Sequence, residues 1–159
     1  MIDDQELAEQ ALQYYQRKQS SGQWSGFIGL FFDELLHSAG EQDARAFLRH
    51  IGTRLGDSTD LGMHETLESL EQAMNRYLEQ VDWGTVSLVE RNEGLVVRHS
   101  AYPLPGQPSD NEQARMAMAA ILEGLYAAWL RKQSGDASIP LRVAGAGGRR
   151  TLEFVYGRP

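Results

Sequence analysis

Apolar residues recur at spacings of three and four through the first half of this chain and at spacings of two in much of the second. Residues 3 to 19 carry Leu7, Ala8, Ala11, Leu12 and Tyr15 on one side, with Gln5, Glu9, Gln13 and Gln16 on the other, which predicts an amphipathic helix. Ser20, Ser21 and Gly22 end it, because serine and glycine favour turns. A more apolar helix is expected from Trp24 to Leu36, with Gly40 at a left-handed C-cap. A third runs from about Gln42 to Leu55 through Ala44, Phe47, Leu48, Ile51 and Leu55. Asp57 to Asp60 should break it and supply N-caps for a fourth. That fourth helix carries Leu67, Leu70, Met74, Tyr77, Leu78 and Val81 as one stripe.

The period then shifts to two. Gly84 to Glu90 places Val86 and Leu88 on one face and Thr85, Ser87 and Val89 on the other. Arg91 to Gly94 reads as a hairpin turn, Leu95 to Ser100 as the returning strand, and the proline-bearing stretch from Tyr102 to Pro108 as a loop. Ser109 and Glu112 form a capping box for a long helix reaching about Ser134. Its apolar residues nearly encircle it, so it must be buried on two sides. Arg131 and Lys132 suit the negative end of its dipole, and Gly135 its C-cap. Strands at 139 to 144 and 150 to 156 close the chain around the Gly145–Gly148 turn. The expected fold is α+β: a helical N-terminal half, then a four-stranded antiparallel sheet of two hairpins with a long buried helix between them. Residues 1 to 159 make one domain, with residues 1 to 22 as an amphipathic N-terminal helix left over for assembly.

Composition narrows what such a domain can do. The 159 residues include no cysteine, which removes disulfides, thiolate metal sites and cysteine catalysis. The formal charge of -7 disfavours nucleic acid and anionic lipid as partners. The N-terminus is acidic and lacks a signal-peptide pattern, and no stretch approaches the roughly 20 apolar residues of a membrane span. A cytoplasmic protein is therefore expected.

Catalytic templates find no match. His37, His50, His64 and His99 are never at H-x-x-x-H spacing, and solvated or core roles suit them better than metal ligation. The Gly145–Arg150 run lacks the Lys-Ser/Thr of a phosphate loop. The Asp33-Glu34 and Asp57/Asp60 pairs lack the cleft that paired-carboxylate glycoside chemistry needs. No catalytic residue, metal or cofactor is assigned. The apolar helix surface exceeds what a small sheet can cover, which points to oligomerisation.

Two segments carry a specific likeness. Val81-Asp-Trp83-Gly84-Thr85-Val86-Ser-Leu88 and Leu122-Glu123-Gly124-Leu125-Tyr126-Ala-Ala-Trp129, the latter followed by Gln133-Ser-Gly135, resemble the "WGTV-x-L" and "LEGLY-x-x-W…Q-x-G" signatures of the bacterial cellulose synthase operon protein D family. Trp83, Gly84, Thr85, Leu122, Glu123, Gly124, Leu125, Tyr126 and Trp129 are expected to be fold-determining. Gly84 eases a helix-to-strand transition, and Gly124 lets another backbone approach. The likeness runs from about residue 30 to 157.

That resemblance implies a homo-octamer built as a tetramer of dimers. It would be a non-catalytic partner of the cellulose synthase complex and its accessory proteins, organising synthases or nascent glucan chains for crystalline cellulose. N-terminal segments would line inner passages, placing Gln5, Gln10, Gln13, Tyr14 and Gln16 toward glucan. The implied place is the cytoplasm near the inner membrane, with the periplasm as the alternative because direct glucan handling requires it. A second class of function, a small-molecule or haem sensor of the vinyl-reductase-like or haem-nitric-oxide-binding type, shares the element order. It would hold its ligand in a helix–sheet pocket.

Overall fold

The computed structural model describes residues 4–19, 21–106, 112–146 and 150–158, without the side chains of residues 16, 17 and 146. Five helices and four strands follow in the order α1 (Asp4–Gln19), α2 (Gly22–Ala39), α3 (Glu41–Ser58), α4 (Leu67–Gln80), β1 (Thr85–Arg91), β2 (Gly94–Ser100), α5 (Glu112–Ser134), β3 (Leu141–Ala146) and β4 (Thr151–Tyr156). The α+β expectation holds, with the helical half first and α5 between the hairpins. The capping-box residue Ser109 and the turn residues Gly147 and Gly148 lie outside the described residues.

The hairpins join through β2 and β4, giving an antiparallel sheet of order β1-β2-β4-β3. Register aligns Val86 with His99 and Leu152, and Leu88 with Val97 and Phe154. That face meets α5, where the Tyr126 ring lies 5.6 Å from Phe154. On the opposite face Val96 and Val155 are also buried, which alternation alone did not predict.

The second side of α5 is covered by α3, and the two helices approach to backbone contact. A Cβ on Gly52 would collide with the Ile121 carbonyl, and one on Gly124 with the Arg49 carbonyl oxygen. One turn further on, a Cβ on Gly56 would sit 2.7 Å from that of Ala128. Small residues at this spacing let two helices pack without side chains between them. The nearly all-round apolar character of α5 is thus explained by burial between a sheet and a helix.

Three local details differ from the sequence-based expectation. Helix α3 runs on through Ser58, and α4 is capped by Thr66, whose side chain accepts from the Ser69 N–H at 3.2 Å. Lys132 lies in the last turn of α5 as expected, but its Nζ reaches across to donate to the carbonyls of Gly56, Asp57 and Thr59, closing the C-terminus of α3. Arg131 pairs with Asp57 at 3.1 Å at the same end. Gly40 has φ 80 and ψ 159, outside the left-handed helical well, and joins α2 directly to α3.

One edge of the sheet is closed by a side chain. The Asn75 amide on α4 donates to the Val86 carbonyl and accepts from the Val86 N–H, both at 2.8 Å. Glu71 accepts from the Leu88 N–H at 2.8 Å. Helix α4 therefore substitutes for a further strand along β1 and covers backbone groups that would otherwise template pairing.

Candidate assembly surface

The two sequence signatures meet at a residue belonging to neither. His99 on β2 is fully buried, with Nε2 2.6 Å from the Trp83 carbonyl and Nδ1 2.5 Å from the Tyr126 hydroxyl. A carbonyl only accepts, so Nε2 carries the proton and Nδ1 accepts from the tyrosine O–H. Burial pushes the imidazole pKa down to about 4, against a smaller opposing effect of the Trp83 hydrogen bond. Burial also raises the Tyr126 hydroxyl well above its ordinary value. Both groups are thus held neutral, in a network satisfied at both ring nitrogens.

The remaining signature residues surround this pair. Leu122, Gly124, Leu125, Tyr126 and Trp129 are buried on α5, and Trp129 packs edge-on to Tyr77 and Tyr126 at 5.3 and 5.8 Å. Glu123 lies 3.5 Å from the Arg49 guanidinium. Its carboxyl is raised by burial, which outweighs the lowering by Arg49 and Arg45. Trp83 is half-buried, Gly84 sits at φ 93 against the Ser100 carbonyl, and Thr85 is exposed at the strand start. A side chain at Gly84 would meet both strain and a clash, so the entry into β1 requires glycine.

His64 has both ring nitrogens engaged, by Ser69 and the Leu61 carbonyl. Among the described residues no three His, Asp or Glu side chains gather as a metal site, and no helix is long and apolar enough to cross a membrane.

The outward feature is apolar. Trp24, Phe27 and Leu30 on α2 are 56, 60 and 61% exposed, and Phe31, Phe47 and Ile51 are also exposed. Between α2 and α3, above Met118 and Ile121 of α5, lies a groove of about 510 Å³. Among the described residues its polar side chains are Gln19, Ser21 and Ser25. Contiguous exposed apolar surface of this kind marks an interaction site.

Helix α1 stands apart. Among the described residues it packs against no other helix or strand, and its described tie to the body is the Gln19 Nε2 donating to the Ala101 carbonyl at 2.7 Å. Gln5, Gln10, Gln13 and Tyr14 are exposed along it, and the side chain of Gln16 lies outside the described residues. Tyr14 packs edge-on to Tyr15 at 6.1 Å, with Lys18 Nζ 5.6 Å from its ring centre. The residues expected to face glucan thus share one exposed helix, separate from the elements that enclose His99.

Fold and site together define an α+β domain with a hydrogen-bonded structural core and an exposed apolar groove on its helical side. The chain belongs to the family of the cellulose synthase D subunit, whose pattern matches residues 10–157. The match begins about twenty residues closer to the N-terminus than the likeness read from the two signatures, and takes in Gln10, Gln13, Tyr14 and Gln16, but not Gln5. The chain is similar to a "Cellulose synthase operon protein D" of Komagataeibacter xylinus, 29% identical over 102 residues that make up 64% of this chain and 65% of that one. It is likewise similar to proteins of the same name from Komagataeibacter xylinus and Komagataeibacter sucrofermentans. Each is 29% identical over 112 residues, covering 70% of this chain and 72% of the relative.

Proposed function

We propose that this protein is a non-catalytic, self-assembling accessory subunit of bacterial cellulose synthesis and secretion. In this reading it forms an octamer, a tetramer of dimers, that organises synthase complexes or nascent glucan chains so that crystalline cellulose forms. The observation that carries the reading is the exposed apolar surface of α2 and α3 in a chain of the cellulose synthase D-subunit family. Burying such surface between copies is the economical way to remove it from water. Its partners are further copies of itself, the synthase complex and its accessory proteins, and glucan chains where the passages carry them.

Glucan contact falls to α1. Gln13 lies opposite the Leu7–Ala11–Tyr15 stripe by helical periodicity, and Gln10 and Tyr14 flank it beside Leu7, so an assembly that buries the stripe leaves the Gln13 amide facing outward. Amide donors and acceptors, with Tyr14 alongside, suit a hydroxyl-rich polymer held loosely. Replacing Gln13 and Tyr14 with alanine should lower crystalline cellulose yield and leave the solution mass unchanged; an unchanged product overturns the glucan role.

The proposed place is the cytoplasmic side of the inner membrane, where a scaffold can align synthases without holding glucan. Protease added to intact spheroplasts should leave the protein whole. Its digestion without lysis would put it in the periplasm.

A further inference from the structure

Two unpartnered features of this chain match each other. The groove between α2 and α3 is walled by Trp24, Phe31, Phe47 and Ile51, with its polar side chains among the described residues, Gln19, Ser21 and Ser25, gathered at one end. A glucan would leave most of its hydroxyls without partners there. The apolar face of an amphipathic helix would not. Helix α1 offers such a face in Leu7, Ala11 and Tyr15, with Leu7 and Tyr15 49 and 64% exposed and no element packed against them among the described residues.

The dimensions agree as well. From Leu7 to Tyr15 on α1, and from Phe47 to Leu55 on the α3 wall, the chain advances the same number of residues. At 1.5 Å rise per residue each spans about 12 Å. Charge is opposite in sign: Asp4, Glu6 and Glu9 lie in the first half of α1. Arg54 stands three residues from Ile51 and has no ion-pair partner among the described residues.

We propose that α1 of one copy seats its Leu7–Ala11–Tyr15 stripe in the α2–α3 groove of a second copy. The chain's own α1 is disfavoured as occupant by the way it leaves the body. Gln19 is held by the Ala101 carbonyl, Ser21 accepts from the Gln23 N–H to cap α2, and both residues line the groove's end. Folding α1 back beside α2 would break these contacts at the joint. Helix and groove are different patches, so the contact is heterologous. Exchange in both directions closes a dimer, and donation in one direction builds a ring. This inference rests on the self-assembly reading and names the surfaces that carry it.

The absence of native cysteine makes the test direct. Full-length Ala11→Cys and Ile51→Cys chains carrying different tags are co-expressed and oxidised, with Ser87→Cys on the sheet as the control partner. The proposal predicts a disulfide-linked species containing both tags, absent with the Ser87→Cys partner. An oligomeric preparation giving no such species would overturn the α1–groove contact while leaving self-assembly standing. A monomeric preparation would overturn both. A chain carrying both substitutions that forms only an internal loop at monomer mass would assign the groove to the chain's own α1, against the proposal.

Discussion

Gly52 on α3 and Gly124 on α5 sit at one helix crossing, each against the main chain of the other helix: Gly52 on the Ile121 carbonyl, Gly124 on that of Arg49. Neither site has room for a methyl group, because the obstructing atoms are backbone and cannot rotate away. Gly52→Ala or Gly124→Ala should therefore cost about 1–3 kcal/mol or more, lowering the thermal midpoint by several degrees. Gly26 on α2 has nothing within 4 Å of the position a Cβ would take. There the same change should stabilise by about 0.5–1 kcal/mol through helix propensity. Thermal unfolding of the three variants checks both signs.

His99 makes stability depend on pH. Its folded pKa of about 4 lies below the unfolded value of about 6.5, so the unfolded chain binds the proton first as pH falls. The stabilisation is complete above the unfolded pKa and is lost between about pH 6.5 and 4. The loss amounts to about 2 kcal/mol by pH 5 and on the order of 3 kcal/mol by pH 4. Urea titrations at pH 7 and pH 5 should show this loss in the native chain. His99→Gln should start less stable, because the Tyr126 and Trp83 partners lose their fit, and should show a shallower decline. Equal slopes for the two proteins would remove His99 as the cause.

Asn75 predicts a different kind of failure. Asn75→Ala leaves the Val86 N–H and carbonyl without the two 2.8 Å bonds that cover the β1 edge. The expected loss is about 1–3 kcal/mol, with a rise in sheet-type aggregation from an uncovered edge. Asn75→Asp keeps the acceptor and turns a carboxylate oxygen toward the Val86 carbonyl, so it should be no better than alanine. Light scattering during heating distinguishes edge loss from a simple drop in stability.

Much of this fold was legible because periodicity reports burial. The stripe Leu70, Met74 and Leu78 and the near-continuous apolar surface of α5 correspond to buried residues, as do Val86, Leu152 and Phe154 on the sheet. The tertiary relations were not legible. Nothing local distinguishes His99 from His37, His50 or His64; its role comes from the fold bringing Trp83 and Tyr126 to its two nitrogens. Asn75 reads as an ordinary polar position between apolar ones, and only the packing of α4 along β1 turns its amide into a strand substitute. Lys132 looks like a charge for its own helix dipole, yet its reach to Gly56, Asp57 and Thr59 is set by the α3–α5 crossing. The surplus of apolar helix surface was visible in the sequence, but its focus into a groove between Trp24 and Ile51 required three helices in place.

The exposed apolar residues supply the last variant. Phe27→Ser removes a side chain that is 60% exposed and lies outside the buried core, so the stability of the single copy should change by no more than about 0.5 kcal/mol. The same change should weaken association, because a large apolar contact side chain at an interface is worth more than one left in water. Sedimentation across a concentration series would show the shift toward smaller species. A mass distribution identical to the parent chain would exclude Phe27 from the interface.

Self-assembly is tested most directly by the solution mass of the purified chain, measured by light scattering behind a sizing column or by native mass spectrometry. The expected result is one discrete octameric species whose population falls when the α2–α3 apolar surface is made polar. A clean monomer at working concentration would contradict it, leaving the apolar groove without a second copy to fill it.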